Sequence, residues 1–357
     1  MTYDYKEITP YLLQWFDYNA RILPWRENPK SYYVWVSEIM LQQTRVEAVK
    51  GYFDRFITAI PDVSALAEAE EEKLLKLWEG LGYYNRVRNL QKAALILRDQ
   101  YDGELPASYE ELKSLPGIGE YTAGAIASIA YGLPVPAVDG NVLRVMKRIA
   151  GSFDDITKAT VKKALWEDIN AMIPKDRPGD FNQSLMELGA TVCLPNGRPL
   201  CEQCPVMHLC KAFHEGTFLQ LPVKPGRKER RREERTILLM ECDGRFAIRK
   251  RPEKGLLSGL WELPSLEEKL SITNLEKYLE AHEIETIELY SLGEAKHIFT
   301  HVEWHMVGYR LVLSELPVGY CTAKDILWTK PQEIVEKYSI PNAFSAFTKF
   351  IKGKEIH

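Results

Sequence analysis

LPGIGEYTAGAIASIAYGLPVPAVDGN, residues 115–141, is the stretch on which the reading of the fold turns. Two glycines around one apolar residue permit a tight turn after Leu115. The small-residue run that follows opens a new helix, so about 108–131 reads as a helix–hairpin–helix. Gly117 and Gly119 leave the first N–H groups of that second helix exposed, which forms a cup for a phosphate oxygen. A bare G-x-G is more commonly a plain helix–helix turn; the helical patterns on both sides favour the hairpin. Further on, Asp139 precedes another helix, where a carboxylate commonly serves as N-cap. Capping and catalysis are compatible there, because a cap fixes the carboxylate while one oxygen faces a cleft.

Working outward, the first two-thirds of the chain repeats apolar residues at helical spacing. Thr9-Pro10 supplies an N-cap and a first-turn proline before Leu12, Leu13, Trp15 and Phe16. Helices are expected at about 34–57, 63–80, 86–101, 108–114, 120–131, 139–150, 156–172 and 180–192. Residues 1–215 therefore form an all-α unit. Residues 216–235 break the pattern with Pro222, Pro225, Gly226 and the run RKERRREER at 227–235. That composition suits a solvated linker, either without a partner or in contact with phosphates. After it the period changes to two. Thr236–Cys242 and Arg245–Arg251 flank Asp243-Gly244, a favoured two-residue hairpin turn. Strands at Ile287–Leu292 and Ile298–Leu313, with helices near 273–282, 331–338 and 344–352, complete an α+β domain over 236–357. The fold class is thus multi-domain.

Composition sets outer limits. A chain of 357 residues calls for two or three domains, and 45% hydrophobic with 27% charged residues is a globular balance. No run of about 18 apolar residues offers a membrane span. The start, MTYDYKEITP, lacks the features of a signal peptide, so a cytoplasmic protein is expected. A net charge of −4 argues against coating nucleic acid by bulk attraction, though not against local basic patches.

Two further features carry chemistry. Cys193, Cys201, Cys204 and Cys210 form a C-x7-C-x2-C-x5-C cluster at 193–210. Four soft ligands so close together suit zinc or an iron–sulfur cluster, and ligand chemistry alone does not choose between them. Such a closed site is structural by default. Cys242 and Cys321 read as ordinary cysteines of the second domain. Glu38 sits among Val36, Ile39, Met40 and Leu41. A carboxyl there loses hydration, its pKa rises, and it becomes suited to general-acid work at neutral pH. Alone it would be a surface-helix glutamate; beside the hairpin and Asp139 it is a candidate acid.

LPGIGEYTAGAIASIA followed by AVDGN resembles the helix-hairpin-helix glycosylase superfamily, and the cysteine cluster resembles the four-iron four-sulfur loop of its endonuclease III branch. LPWR at 23–26, WVSEIMLQQT at 35–44, EGLGYYNRVRNL at 79–90 and VDGN at 138–141 resemble the adenine DNA glycosylases of the MutY type. The C-terminal domain is similar to that family's MutT-like (Nudix-like) domain. Gly259-Leu-Trp-Glu262-Leu-Pro resembles the entry to a Nudix box, but no R-E-x-x-E-E cluster follows, so lesion recognition without nucleotide hydrolysis is implied. The cluster spacing departs from the family's C-x6-C by one residue, which the Asn196-Gly197 turn can absorb.

The resemblance implies a monofunctional glycosylase of base excision repair. It acts as a monomer on double-stranded DNA carrying an adenine–8-oxoguanine or adenine–guanine mispair, in the cytoplasm or at a bacterial nucleoid, with a 4Fe-4S cofactor. Bifunctional relatives carry a lysine where Tyr121 stands, and a phenol forms no Schiff base. Glu38 is the implied acid and base and Asp139 the group that stabilises or captures the oxocarbenium ion, with Tyr121 and Asn141 orienting them. Arg26 and Gln183 contact the extruded adenine. Gln43 and Tyr83 fill or wedge the stack, and Thr44 and Leu81 are further substrate-binding residues. Phe299-Thr300-His301 stands where the family has Phe-Ser-His to read 8-oxoguanine; threonine keeps the hydroxyl. Two readings compete: a pyrimidine-directed glycosylase-lyase of the endonuclease III type, and a non-catalytic DNA-binding or redox-sensing module. Tyr121 and the extra domain oppose the first, and Glu38 with Asp139 opposes the second.

Overall fold

The computed structural model describes residues 5–226 and 229–351. Arg227 and Lys228 of the basic run lie outside the described residues. The chain divides into two compact units: the chain up to Ala69 with Arg88–Gly226, and Glu70–Val87 with the chain beyond residue 228.

The first unit is helical. Its centre is the Pro178–Thr191 helix, which packs against Ile8–Asn19, Glu120–Tyr131 and Gly140–Ala150. Leu12, Val142, Met146, Ile169, Phe181, Leu185 and Leu188 meet in one buried cluster. They recur three, four and seven apart on their own helices, so each helix offers one apolar stripe. Each such side chain contributes about 1.5–3 kcal/mol by leaving water. Close approach depends on missing side chains: a Cβ on Gly124 would lie 2.1 Å from the Pro136 carbonyl oxygen, and one on Gly179 2.7 Å from that of Ser128. The helical hairpin is present as Tyr109–Ser114, a turn at 115–119, and Glu120–Tyr131. Gly117 has φ +78°, and a Cβ there would meet Asn89 at 2.7 Å, so both backbone and packing require glycine.

The second unit is built on a seven-stranded sheet: β1 (Arg231–Cys242), β2 (Arg245–Lys250), β3 (Trp261–Glu262), β4 (Ser265–Leu266), β5 (Thr286–Ile298), β6 (Val302–Leu313) and β7 (Ile326–Thr329). The main order is β3-β2-β1-β6-β5, with β4 pairing β1 and β7 pairing β2. β1 runs parallel to β6, while the other pairs are antiparallel. Asp243 and Gly244 both have positive φ, the geometry of the expected β1–β2 turn. Both faces are covered, so β1 is buried from Arg235 to Met240. Ile237 and Leu239 join Ile334, Phe344 and Phe347 on one side. Leu238 and Met240 join Leu275, Leu279 and Tyr320 on the other.

Several expectations change. The helix expected over 34–57 is two, Ser31–Leu41 and Val46–Ala59, because Gln43 adopts φ +62° and ends the first. The 63–80 helix is likewise split into Val63–Glu68 and Glu71–Leu77. The strand expected over Ile298–Leu313 is interrupted at 299–301, and the one expected over Ile287–Leu292 runs on to Ile298 as β5. The expected linker is shorter than 216–235. Leu221 is buried in the helical unit and accepts a bond from Arg148 at 2.9 Å. Residues 231–235 open β1, paired with Val302–Met306. Both signs of charge are present: Glu233 receives bonds from Arg231 and Arg235, and Glu234 one from Arg232. A run that looks solvated in composition is thereby neutralised on a strand.

Candidate active site

Glu38 lies on the Ser31–Leu41 helix, where Val34, Trp35, Val36, Ile39 and Met40 are also buried. It is 5% exposed. Burial pushes its carboxyl up to about 7; the Tyr121 hydroxyl opposes that, the charge of Asp139 adds to it, and Arg26 lowers it. Tyr121, in the first turn of the second hairpin helix, donates a short hydrogen bond to Glu38 Oε2. It also contacts Met186 Sδ at 3.8 Å.

Asp139 caps the Gly140–Ala150 helix, Oδ1 accepting from Val142 N at 2.7 Å. Asn141 Nδ2 donates to Oδ2, also at 2.7 Å. Burial raises the Asp139 pKa from its usual value, against the pull of these donors and of Arg144. Arg144 extends the network: Nη2 donates to Asn141 Oδ1 at 2.9 Å and to Gly189 O at 2.7 Å, and Nε to Cys193 O at 2.8 Å. Gly189 leaves the space Asn141 occupies, since a Cβ there would sit 2.6 Å from Asn141 Cβ.

These groups border one cavity of about 770 Å³. Glu38, Tyr121, Asp139, Asn141, Arg26 and Gln183 line it, as do Gln43, Thr44 and Gly119. Gly117 is not among the lining residues. Sequence reasoning missed Glu187, Arg21 and Met186 on the same wall. One signal was present: Gln183 and Glu187 are four residues apart and share a helix face.

The remaining candidates lie elsewhere. Leu81 and Tyr83 belong to the second unit, on a loop where Gly80, Gly82 and Tyr83 all have positive φ. Arg86 Nη2 holds that loop by donating to Leu81 O at 2.9 Å and Gly82 O at 3.1 Å. Phe299, Thr300 and His301 form the β5–β6 turn, closed by Phe299 N to Val302 O at 2.8 Å. Phe299 packs edge-on against Trp304, with ring centroids 4.9 Å apart. The Tyr83 hydroxyl lies 3.0 Å from Thr300 Oγ1, so these two candidates meet.

Cys193, Cys201, Cys204 and Cys210 line a second, apolar cavity with Val145, Ile149 and Leu188. Burial pushes the Cys204 thiol up to about 12 and Cys210 to about 11. Arg148 Nη1 lies 3.3 Å from Cys193 Sγ. Among the described residues, no three acidic, His or Cys side chains converge on the geometry of one metal ion.

A helical hairpin, a capped aspartate and a buried glutamate in one cavity are the equipment of a base-excising glycosylase. The family described as HhH-GPD superfamily base excision DNA repair protein matches residues 36–171, and the NUDIX domain family matches 235–349. Similar solved structures include a thermostable thymine-DNA glycosylase (TM-score 0.53, 28% identity, covering 59% of this chain and 96% of that one). An endonuclease III in a non-covalent DNA complex is also similar (TM-score 0.52, 25% identity, 60% and 99%). The adenine DNA glycosylase of Mus musculus is 37% identical, covering 86% of this chain and 71% of the relative. That of Homo sapiens is 36% identical over 87% and 68%, and that of Buchnera aphidicola subsp. Schizaphis graminum 32% over 85% and 87%. The chain belongs to the adenine DNA glycosylase family, enzymes of base excision repair that hydrolyse an N-glycosidic bond.

Proposed function

We propose that the substrate is adenine opposite 8-oxoguanine or guanine in double-stranded DNA, and that the base is released without strand cleavage. The observation that carries this is Glu38: buried, held by Tyr121, and sharing a cavity with the capped Asp139. A base inside a duplex is out of reach, so adenine must be extruded into that cavity. Arg26 and Gln183 contact it there. Protonated Glu38 donates to N7. The C1′–N9 bond breaks with its electron pair leaving on the base, and the Asp139 carboxylate stabilises the oxocarbenium ion or captures it transiently. Glu38, now a carboxylate, takes a proton from water as its oxygen adds to C1′, which restores the acid. Tyr121 and Asn141 hold the two carboxyl groups in place. Tyr121 supplies no amine, so no Schiff base forms and the backbone stays intact.

Gln43 and Tyr83 fill or wedge the stack, Thr44 and Leu81 contact the substrate beside them, and Phe299, Thr300 and His301 read the opposite base. The Tyr83–Thr300 bond supports a shared role for Tyr83 and the last group. Gly117 and Gly119 turn the chain so that the N–H groups behind them meet a phosphate. The helical unit carries catalysis and the sheet unit, with residues 70–87, carries lesion recognition, and the enzyme acts as a monomer in the cytoplasm or at a bacterial nucleoid.

The four cysteines suit a 4Fe-4S cluster. They line one apolar space, and Arg148 Nη1 donates to the Cys193 sulfur. Bound there, the cluster would supply cross-linking of the 193–210 loop. Single-turnover assays on duplexes with adenine opposite 8-oxoguanine and opposite guanine test the whole reading. Glu38→Gln is expected to bind the duplex yet lose base release by about 100-fold or more; retained turnover would remove the acid assignment.

A further inference from the structure

Glu187 is 1% exposed, on the wall of the catalytic cavity, and has no part in the chemistry above. Its carboxylate is saturated by two arginines. Oε1 accepts from the backbone N of Arg21 at 3.2 Å and from Arg21 Nε at 2.5 Å. Oε2 accepts from Arg21 Nη2 at 3.0 Å and from Arg26 Nη2 at 2.9 Å. Arg26 Nη1 is tied in turn to Arg21 O at 3.2 Å, and its guanidinium lies 5.5 Å above the Phe16 ring. These contacts fix the plane of Arg26 on two edges. With four donors already, Glu187 has little capacity left to act as a base.

We propose that Glu187 is the positioning residue of this pocket, aiming the Arg26 guanidinium at the expelled base. Arginine is always charged and its fork is planar, so its direction decides which acceptor on a base it meets. A buried carboxylate also neutralises the cation it holds. The charged and titratable groups bearing on Glu38 are Tyr121, Asp139 and Arg26, and Arg26 pulls the Glu38 pKa down. Glu187 therefore does two things through Arg26: it orients a donor, and it moderates a positive charge that would otherwise make Glu38 a stronger acid. This rests on the adenine-excising reading of the cavity.

The test is single-turnover base release from an adenine–8-oxoguanine duplex between pH 5 and 9. For Glu187→Gln the rate at pH 7 is expected to fall about 10- to 100-fold, the cost of a misplaced contact. Duplex affinity, dominated by phosphate contacts, is expected to stay within about 3-fold. The high-pH limb of the rate profile is expected to move down by about half a unit as Arg26 loses its counter-charge. In an Arg26→Lys background, the same substitution is expected to change the rate by less than about 2-fold, because the two residues act as one unit. An unchanged rate and limb in Glu187→Gln overturns the proposal, as does an equal loss in both backgrounds. Should Glu187→Gln fail to fold by its melting curve, Glu187→Asp keeps the charge while shortening the reach. It is then expected to lose rate without moving the limb; a wild-type rate overturns the proposal. Retained turnover in Glu38→Gln overturns the reading of the cavity itself, leaving the Arg26–Glu187 coupling to be judged by the double variant.

Discussion

Glu38 keeps its proton near neutrality because the protein around it offers less to the anion than water does. Its folded pKa, about 7, lies above the ordinary 4.5. A group raised in this way contributes its full share of stability below about pH 4.5 and loses it as pH rises through 7. Wild type is therefore expected to forfeit roughly 3 kcal/mol between pH 5 and pH 9 from this residue. Glu38→Gln cannot ionise, so its melting temperature is expected to exceed that of wild type at pH 9 and to match it near pH 5; parallel curves would contradict the shift. Base release by wild type is expected to fall as pH rises through 7, as the acid form disappears. The burial behind this was legible in the sequence, since Val36, Ile39 and Met40 surround the residue. Its Tyr121 partner, 83 positions away, is brought to it only by helix packing.

The elements show how much of the site depends on small residues and broken helices. The hairpin could be read from 115–141 because its turn, cap and helix starts are local. The interruption after Leu41 could not, as Gln42-Gln43-Thr44-Arg45 contains neither glycine nor proline. It takes a positive φ at Gln43 to end the helix there, and Gln43 and Thr44 then line the cavity. Gly189, which packs against Asn141, has a comparable role. Gly189→Ala would drive a methyl into Asn141, which donates to Asp139. It is expected to destabilise the protein by about 1–3 kcal/mol, read by denaturant titration. Base release should also drop by about 10-fold or more as Asp139 loses its donor. A normal rate with lowered stability would separate packing from positioning.

For the whole molecule, the sequence divides at a change of hydrophobic period, whereas the structure divides by contact. Glu70–Val87 joins the sheet unit: Lys76 Nζ donates to Tyr338 O at 3.0 Å, Ser339 Oγ to Leu75 O at 3.2 Å, and Trp261 Nε1 to Glu72 at 3.2 Å. The loop carrying Leu81 and Tyr83 is thus held by the unit that carries Phe299 and His301. Replacing Phe299 and His301 together with alanine is expected to reduce the preference for 8-oxoguanine over guanine by about 1–2 kcal/mol. The ratio of the two single-turnover rates measures it, and an unchanged ratio would remove the β5–β6 turn from recognition. Cys204→Ser is expected to lower bound iron and to cost the helical unit about 2 kcal/mol or more. Iron analysis and thermal melting check both; full iron content would exclude Cys204 as a ligand.

By itself the sequence determined the two fold classes, the hairpin, the cysteine cluster and the two carboxylates. Each is written in short-range spacing: a 3.6 or 2.0 period, a G-x-G turn, a C-x2-C pair, a cap before a helix. Only the tertiary structure decided where the first helix of the site ends and that charged residues 231–235 form a strand. It alone showed that 70–87 sits with the sheet unit, and that Glu187 holds Arg21 and Arg26 from 166 and 161 residues away. Those outcomes depend on which partner a residue meets across the fold. A buried carboxylate is stable only once its cations have been brought to it, and nothing in local spacing names them.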